Sequence, residues 1–252
     1  MGLIEWIKSK FSRDKPQNLY QFSPPFSFGQ SISNQRVDET TAMQNAAIIA
    51  CVKVIAESIA SLPLHVYEYT KTGKGKAVKH QLYYLLHNAP NEEMTTFIFL
   101  ETSLVHLLLW GNAYAQIIRN GNNKVAGLYP LQPSKITVER NDAGKLQYKY
   151  RRYTEENPNI KDKGEIILRR EDVLHIAGLG FDGVIGYSPI AMARNAIGLS
   201  LACDSYGGKF FTTGGRPSGV LTIPTLIKDD ETLKRIQDSW QGQYNGDNQG
   251  KT

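Results

Sequence analysis

The residues that most suggest chemistry are the glycines of the segment Gly178–Gly183, which reads Gly-Leu-Gly-Phe-Asp-Gly and matches the pattern G-x-G-x-x-G. In a dinucleotide-binding fold, such glycines follow a strand and open directly into a helix whose N-terminal amides face the pyrophosphate. Here residues 184–187 intervene, and Pro189 marks the start of the next predicted helix. The acidic residue downstream, Asp204, lies inside that helix instead of ending a second strand. We therefore reject a dinucleotide site and predict a flexible glycine turn.

No other set of residues has the spacing of a catalytic or metal-binding motif. No serine lies in a G-x-S-x-G frame, and the sequence contains no Walker-type phosphate loop. The histidines lack metal-ligand spacing such as H-x-x-x-H; they are His65, His80, His87, His106 and His175. Cys51 and Cys203 lie in apolar helical patterns, which predicts buried free thiols made in a reducing cytoplasm. The sequence therefore predicts no cofactor, no metal and no enzymatic activity, and favours a structural or binding role.

The composition is that of a chain with a hydrophobic core. The sequence has 252 residues, of which 41% are hydrophobic, and this length allows one large domain or two small ones. The longest apolar run, Leu104–Trp110, is interrupted by His106 and falls far short of the ~20 residues that cross a bilayer as a helix. The start of the chain, Met1–Trp6, lacks the hydrophobic region of a signal peptide. We expect a soluble protein without a membrane partner.

The formal net charge is +5, and the densest basic cluster is Lys71–Lys76, with Lys79 close by. Because this cluster contains two glycines and lies between apolar segments, the sequence favours a solvated turn. Contact with a nucleic acid is the alternative, since lysines neutralise phosphates.

Residues 1–43 are predicted to form a flexible arm, because their composition is rich in proline, serine and glutamine. A first helix follows, with an apolar stripe that ends before Pro63; its members are Ile48, Val52, Ile55, Ile59 and Leu62. A second helix is predicted from about Thr95 to Trp110. The pair Gly111-Asn112 that ends it is suited to a left-handed C-terminal cap.

The region from Tyr114 to Ile176 is predicted to be rich in strands. The predicted strands are Tyr114–Arg119, Val125–Leu131, Ile136–Arg140, Leu146–Tyr153, Ile166–Arg169 and Val173–Ile176. Turn residues at Asn120–Asn123 and Asp142–Gly144 indicate two hairpins. Strands that follow one another without long helices between them favour an α+β domain over a parallel α/β sheet.

A helix of roughly 35 Å is predicted from Pro189 to about Thr212. It carries two apolar stripes: Met192, Ala196, Leu199, Cys203, Tyr206 and Phe210 form the first, and Ile190, Ala193, Ile197 and Leu201 the second. Two stripes favour burial on two sides, as in a ring or bundle of neighbours. A central helix in an ordinary core is the alternative. After a break at Gly214–Pro217, Val220–Ile223 is predicted as a strand, and Asp229 or Asp230 caps a further helix.

Five segments, in order and spread over residues of about 45 to 240, together resemble the portal proteins of tailed bacteriophages. They are Ala50–Tyr67; Asn88–Thr95 with Leu107–Tyr114; Leu128–Pro133; Val173–Ile176 with Asp182–Ile190; and Phe210–Phe211 with Gly214–Leu221. The resemblance implies an α+β fold of mixed helices and antiparallel strands, divided into an arm (1–43), a wing (44–186), a stem helix (187–213) and an incomplete clip (214–252). Family members continue with a returning stem helix and a crown, so we expect only the N-terminal part of such a protein.

The resemblance also implies a function. It implies a ring, typically of twelve subunits, at a capsid vertex, through which double-stranded DNA passes without sequence specificity. The implied partners are the packaging terminase and the capsid and tail-adaptor proteins, and the implied location is the virion after synthesis in the bacterial cytoplasm. Two alternatives from other classes are a nucleotide-binding enzyme that uses the glycine turn and a monomeric, non-specific DNA-binding module.

The candidate functional residues form two groups. The first is predicted to be the bend between wing and stem, because glycine suits positive φ and close backbone approach: Gly178, Gly180, Gly183 and Gly186. The second is predicted to be the stem and oligomer interface: Pro189, Met192, Leu199, Cys203, Tyr206 and Phe210.

Overall fold

A computed structural model describes residues 26–71, 73–152, 164–212, 222, 224 and 229–244, with side chains up to residue 240. Its helices are α1 (Glu39–Ala42), α2 (Ala46–Ala60), α3 (Gln81–His87), α4 (Thr96–Trp110), α5 (Pro189–Met192), α6 (Arg194–Thr212) and α7 (Asp230–Tyr244). Its strands are β1 (Gly29–Gln30), β2 (Arg36–Val37), β3 (Tyr67–Thr70), β4 (Gly73–Lys76), β5 (Asn112–Arg119), β6 (Val125–Leu131), β7 (Ile136–Arg140), β8 (Leu146–Arg151), β9 (Glu165–Arg169) and β10 (Val173–Ala177).

The chain divides into two compact units. The first comprises Met1–Gly29 and Val37–Ala193, and the second comprises Gln30–Arg36 and Arg194–Thr252. The larger sheets belong to the first unit; each has three antiparallel strands, in the orders β10-β5-β6 and β7-β8-β9. Because the paired strands are antiparallel and the helices are not interleaved with them, the prediction of an α+β fold is confirmed.

The two hairpins form where the turn residues predicted them. In the turn between β5 and β6, the Asn120 side chain accepts the N–H groups of Asn122 and Lys124, and Asn123 adopts a positive φ of 59°. In the turn between β7 and β8, Gly144 supplies the positive φ. Asparagine and glycine tolerate this conformation better than other residues, so the local sequence sets both turns.

The main core lies among side chains from all six strands of the two sheets. Its buried members are Tyr114, Leu131, Val138, Tyr148, Leu168 and Val173. Tyr148, in the middle of β8, is fully buried. Successive side chains of a strand point to opposite faces, so Ala115 joins a second cluster with Phe99 of α4 and Leu128 of β6. The central strand β5 therefore contributes side chains to both clusters.

Helix α4 begins and ends as the sequence predicts. The Thr95 side chain accepts the Ile98 N–H at its start, and Gly111 caps its end with a φ of 75°. Helix α2 packs against α4 with Val52, Ala56 and Ala60 buried. The predicted apolar stripe is only partly buried. Val52 is buried, but Ile55, Ile59 and Leu62 are exposed. The buried face is instead rich in alanine, a small residue that lets two helices approach closely.

Residues 26–43 of the predicted arm contain β1, β2 and α1. Val37 and Ala42 are fully buried, and the Asp38 side chain caps α1 by accepting two backbone N–H groups. Residues 1–25 of the predicted arm lie outside the described residues.

The second unit contains α6, α7 and the loop of residues 30–36. Asn195 of α6 accepts the Ile32 N–H through its Oδ1 at 3.2 Å. Asp229 directly precedes α7 and caps it as predicted, because its carboxylate accepts the N–H groups of Glu231 and Thr232. The predicted break at Gly214–Pro217 lies outside the described residues, as does most of the predicted strand Val220–Ile223.

The prediction of one helix from Pro189 to Thr212 is wrong. Helix α5 ends at Met192, and α6 begins at Arg194. Between them Ala193 has φ −89° and ψ 12°, outside the range of an α-helix. Alanine favours helix, so the break does not arise from local propensity. It lies one turn beyond Ser188, which a long-range hydrogen bond holds in place.

Candidate functional site

The connection between β10 and α5 is held by the side chain of Asn112, the first residue of β5. Its Nδ2 donates to the Gly186 carbonyl oxygen at 2.7 Å, and its Oδ1 accepts the Gly186 N–H at 2.8 Å. Nδ2 also lies 3.3 Å from the Trp110 carbonyl oxygen. One buried amide side chain therefore satisfies both polar groups of Gly186, and this pairing fixes which atom of the amide is oxygen.

His175 of β10 extends this network into the core. Its Nε2 lies 3.0 Å from Asn112 Oδ1, and its Nδ1 lies 3.2 Å from the Tyr148 hydroxyl. Because an amide oxygen only accepts, Nε2 carries the hydrogen, and Nδ1 accepts the hydrogen of Tyr148. The His175 ring also stacks on Tyr114 with a centroid distance of 4.4 Å.

The environment of His175 keeps its ring neutral. Burial lowers the pKa of His175 to about 4, helped by the nearby charge of Arg170 and opposed by Asp182. A neutral imidazole is the form that donates at Nε2 and accepts at Nδ1, as the two contacts require. The same burial raises the pKa of the stacked Tyr114, with Tyr148 as a second cause.

Gly178 and Gly186 meet at Gly111, the cap of α4. The Gly178 N–H donates to the Gly111 carbonyl oxygen at 2.8 Å. A Cβ at Gly186 would lie 2.0 Å from that oxygen and 2.5 Å from the Gly178 nitrogen, and one at Gly178 would lie 2.9 Å from the same oxygen. These backbones therefore approach more closely than any side chain allows. Gly111 was not among the predicted site residues, although its capping position was recognised.

The other two predicted glycines have different reasons to be glycine. A Cβ at Gly180 would lie 2.1 Å from the Ile185 carbonyl oxygen, whereas Gly183 faces open space but has a φ of +69°. Between them, the Asp182 carboxylate accepts the N–H groups of Val184 and Ile185 at 2.8 and 2.9 Å. These amides are therefore engaged within the turn, and the geometry does not support a pyrophosphate site there.

Ser188 attaches the start of α5 to the end of α4. Its hydroxyl donates to the Leu109 carbonyl oxygen and accepts the Ala191 N–H at 3.1 Å, so it serves as the N-cap of α5. Pro189 occupies the first helical position, and Ile190 is buried. The chain that leaves β10 is thus bound to the junction of α4 and β5 through Gly178, Gly186 and Ser188.

The predicted interface residues of α6 share one exposed face. Leu199 is 59% exposed, Tyr206 58% and Phe210 44%. Residues at steps of four, three and four lie within a narrow stripe of a helix, so Cys203 belongs to this face as well. Two further predicted members, Pro189 and Met192, are exposed on α5. We call the α6 set, comprising Leu199, Cys203, Tyr206 and Phe210, the α6 apolar face.

Two residues on other sides of α6 are buried. They are Ile197 and Gly198, and a Cβ at Gly198 would lie 2.1 Å from the Ser31 Oγ. The loop of residues 30–36 therefore packs against α6 at Gly198, where there is no room for a side chain. On the α6 apolar face, the Tyr206 and Phe210 rings stack at a centroid distance of 6.3 Å. The helix thus has buried residues on other sides and one exposed apolar face.

Both cysteine thiols are free and exposed, so the prediction that they are buried is wrong. Cys51 lies on the exposed part of α2, and Cys203 lies on the α6 apolar face. The apolar helical pattern around each cysteine is real. However, the side of the helix that becomes buried depends on its tertiary neighbours, which a periodic pattern does not identify.

The described part of the chain offers no grouping of three or more histidine, cysteine or acidic side chains that could hold a metal ion. Within the same part, no helix combines the length and hydrophobicity of a membrane span.

Comparison with known sequences relates the chain to one family. The sequence model of the family described as Phage portal protein matches residues 46–252. The probable portal protein of Streptomyces phage phiC31 is 34% identical over 218 residues, which cover 85% of this chain and 46% of the relative. The portal protein of Enterobacteria phage HK97 is 27% identical over 219 residues, covering 86% and 49%. The chain thus spans about half the length of these two curated relatives.

The fold also resembles that of a protein in a solved particle. A chain from the neck of an empty GTA particle, computed with C6 symmetry, superposes with a TM-score of 0.59 at 19% sequence identity. The superposition covers 88% of this chain and 60% of the other. At this level of identity the likeness concerns the fold.

Proposed function

The chain belongs to the phage portal protein family, and on that premise we propose that it is a structural portal subunit. Copies of the subunit assemble into a ring at one vertex of a capsid, and DNA passes through the ring during packaging and ejection. In this proposal residues 44–186 form the wing, 187–213 the stem and 214–252 the beginning of the clip. The partners are the terminase, the capsid protein, the tail adaptor and non-specifically held double-stranded DNA.

The observation that carries the proposal is the α6 apolar face. Burying a Leu, Tyr or Phe side chain stabilises a protein by about 1.5–3 kcal/mol, so leaving three of them exposed is unfavourable for an isolated chain. Contiguous apolar surface of this kind marks a site of protein contact. In a ring every subunit meets two neighbours, which provides a surface to cover this face.

The glycine connection supports the second element of the proposal. The hydrogen bonds at Gly178, Gly186 and Ser188 fix the path of the chain just before α6 begins. We assign this turn the role of setting the direction in which the chain leaves the wing. The subunit itself is proposed to have no catalytic role, so the purified chain should release no phosphate from ATP.

Sedimentation velocity over a range of protein concentrations tests the assembly proposal. We expect the chain to self-associate through the α6 apolar face. The double substitution Leu199→Asp and Tyr206→Asp should give a monomer, because two carboxylates cannot be buried unpaired in an interface. The matched control is Tyr84→Asp with Leu233→Asp, which alters exposed residues of α3 and α7.

The control variant should associate like the unchanged chain, and circular dichroism should show that both variants stay folded. A chain that remains monomeric at every concentration would contradict the proposal. Equal loss of association in the two double variants would also contradict the proposal. It would show that the loss does not depend on the α6 apolar face.

A further inference from the structure

The hairpin of β3 and β4 places aromatic and basic side chains on one face. In its register Tyr67 lies opposite Lys76, and Tyr69 lies opposite Lys74. Directly opposed residues share a face of an antiparallel pair, as do residues two apart along a strand. The set Tyr67, Tyr69, Lys74 and Lys76 therefore forms a single surface, which we call the tyrosine–lysine face.

The tyrosine–lysine face is open to solvent and positively charged. Tyr67 is 56% exposed and Tyr69 87%. Residues 64–81 contain four lysines and one glutamate, and all four lysines are exposed. Among the described residues, none of these lysines lies within 4 Å of a carboxylate. The positive charge is therefore not neutralised within the described part of the chain.

The other face of the hairpin lacks this character. Gly75 lies opposite Glu68, and Gly73 lies opposite Thr70. The lone acidic side chain of the segment therefore shares its side of the hairpin with two glycines. Because alternate side chains of a strand point to opposite faces, Lys74 and Lys76 lie on the face opposite to Glu68.

The lysines on this face are arranged beside aromatic rings. Lys74 Nζ lies 5.6 Å from the centroid of the Tyr69 ring, within the range of a cation–π contact. Lys76 Nζ lies 3.2 Å from His65 Nε2, and the His65 ring packs edge-on against Tyr67 at 6.2 Å. Burial, Lys76 and His87 lower the pKa of His65, which keeps its imidazole neutral and able to accept from Lys76. These contacts partly order the ammonium groups of Lys74 and Lys76 before any ligand binds.

We propose that the tyrosine–lysine face binds a strand of nucleic acid, with the ammonium groups on phosphates and the tyrosine rings on sugars and unpaired bases. Lys74 and Lys76 are two residues apart on β4, about 6.6 Å along a strand, so their ammonium groups can reach neighbouring phosphates of one nucleic-acid strand. An acidic protein segment would engage the lysines alone. The exposed tyrosine rings beside the lysines favour a nucleic acid, because every base offers a face for stacking. This inference does not depend on ring assembly.

Fluorescence anisotropy with the full chain and a labelled 20-nucleotide thymidine strand tests the proposal. We expect Lys74→Gln with Lys76→Gln to weaken binding roughly tenfold in low salt, and to reduce the salt slope of log K by about 1.4, at about 0.7 for each lost phosphate contact. The control is Lys124→Gln with Lys145→Gln, which removes the same charge from two other hairpin turns and should change binding little. Tyr69→Ala should weaken binding severalfold, whereas Tyr84→Ala on α3 should not.

Thermal melting shows that each variant is folded, and Lys74→Gln alone provides a second variant that leaves the His65 contact intact. Equal weakening by the two lysine pairs would overturn the proposal, because binding would then follow net charge only. Competition by poly-glutamate as effective as that by unlabelled oligonucleotide would identify the partner as an acidic polypeptide. Unchanged affinity of Tyr69→Ala would also overturn the assignment, since the rings distinguish the two classes of partner.

Discussion

Asn112 and Gly186 lie 74 positions apart in the sequence, and the side-chain amide of the first pairs with both the N–H and the carbonyl of the second. Asn112 follows Gly111, the C-terminal cap of α4, and Gly186 lies three residues before α5. The pair therefore joins the end of a central helix to the turn that leads out of the α+β unit. Its neighbours His175 and Tyr148 continue the hydrogen bonding into the core.

Replacing Asn112 with alanine should reduce the free energy of unfolding by about 3 kcal/mol. The change leaves both polar groups of Gly186 buried without a partner, and each such group costs about 1–3 kcal/mol. Urea denaturation followed by circular dichroism measures the loss. Asn122→Ala, in the exposed turn between β5 and β6, is the control and should change stability by less than about 0.5 kcal/mol. Similar values for the two variants would show that the pair contributes no stability.

Alanine substitutions at three glycines should destabilise the protein in a fixed order. Gly186→Ala should be the most severe, because its Cβ would lie 2.0 Å from a backbone oxygen that cannot rotate away. Gly183→Ala should cost about 1–2 kcal/mol through its φ of +69°. Gly121→Ala meets neither a close contact nor a positive φ and should be nearly neutral. Thermal melting ranks the three, and a Gly183 variant less stable than the Gly186 variant would refute the close-packing argument.

Stability should fall as the pH is lowered from about 6.5 to about 4. Burial lowers the pKa of both His106 and His175 to about 4, against an ordinary value of 6.5. Between these limits the unfolded chain binds more protons than the folded one, so the free energy of unfolding rises with pH. Over this pH range each histidine contributes at most about 3.4 kcal/mol to the loss of stability. Urea denaturation at a series of pH values measures it.

The variant His106→Leu distinguishes the contribution of His106 to the pH dependence of stability from that of His175. Among the described residues His106 Nδ1 has no hydrogen-bond partner, and the ring packs edge-on against Trp110 at 5.6 Å. An apolar replacement should therefore keep the protein stable at neutral pH and remove about half of the loss at low pH. A pH slope identical to that of the unchanged chain would contradict the role assigned to burial of His106.

Two glycines of α6 should respond to substitution in opposite directions. Gly207→Ala should stabilise the helix by up to about 1 kcal/mol, because a Cβ there would meet no atom within 4 Å. Gly198→Ala should instead destabilise the second unit, because its Cβ would lie 2.3 Å from the Cβ of Ser31. Hydrogen exchange of the α6 amides distinguishes them, with slower exchange expected for the first and faster for the second. Faster exchange in both variants would argue against the open environment of Gly207.

Local structure could be predicted from the sequence where neighbouring residues decide it. The bounds of β6 and β7 agree with the prediction to the residue, because turn residues flank each strand. The left-handed cap at Gly111 was recognised because a glycine follows an apolar helix. In each case the decisive interactions lie within a few residues along the chain.

The tertiary structure decided which faces are buried and which distant groups meet. Helix α2 buries Ala56 and exposes Ile55, although periodicity favours the isoleucine, because only contact with α4 selects the buried side. The pairing of Asn112 with Gly186 and the exposure of both cysteines likewise depend on residues far apart in sequence. A sequence pattern records the preference of a side chain for burial. The partner that buries it is set by the packing of the whole chain, because burial requires neighbouring atoms that only the folded structure brings together.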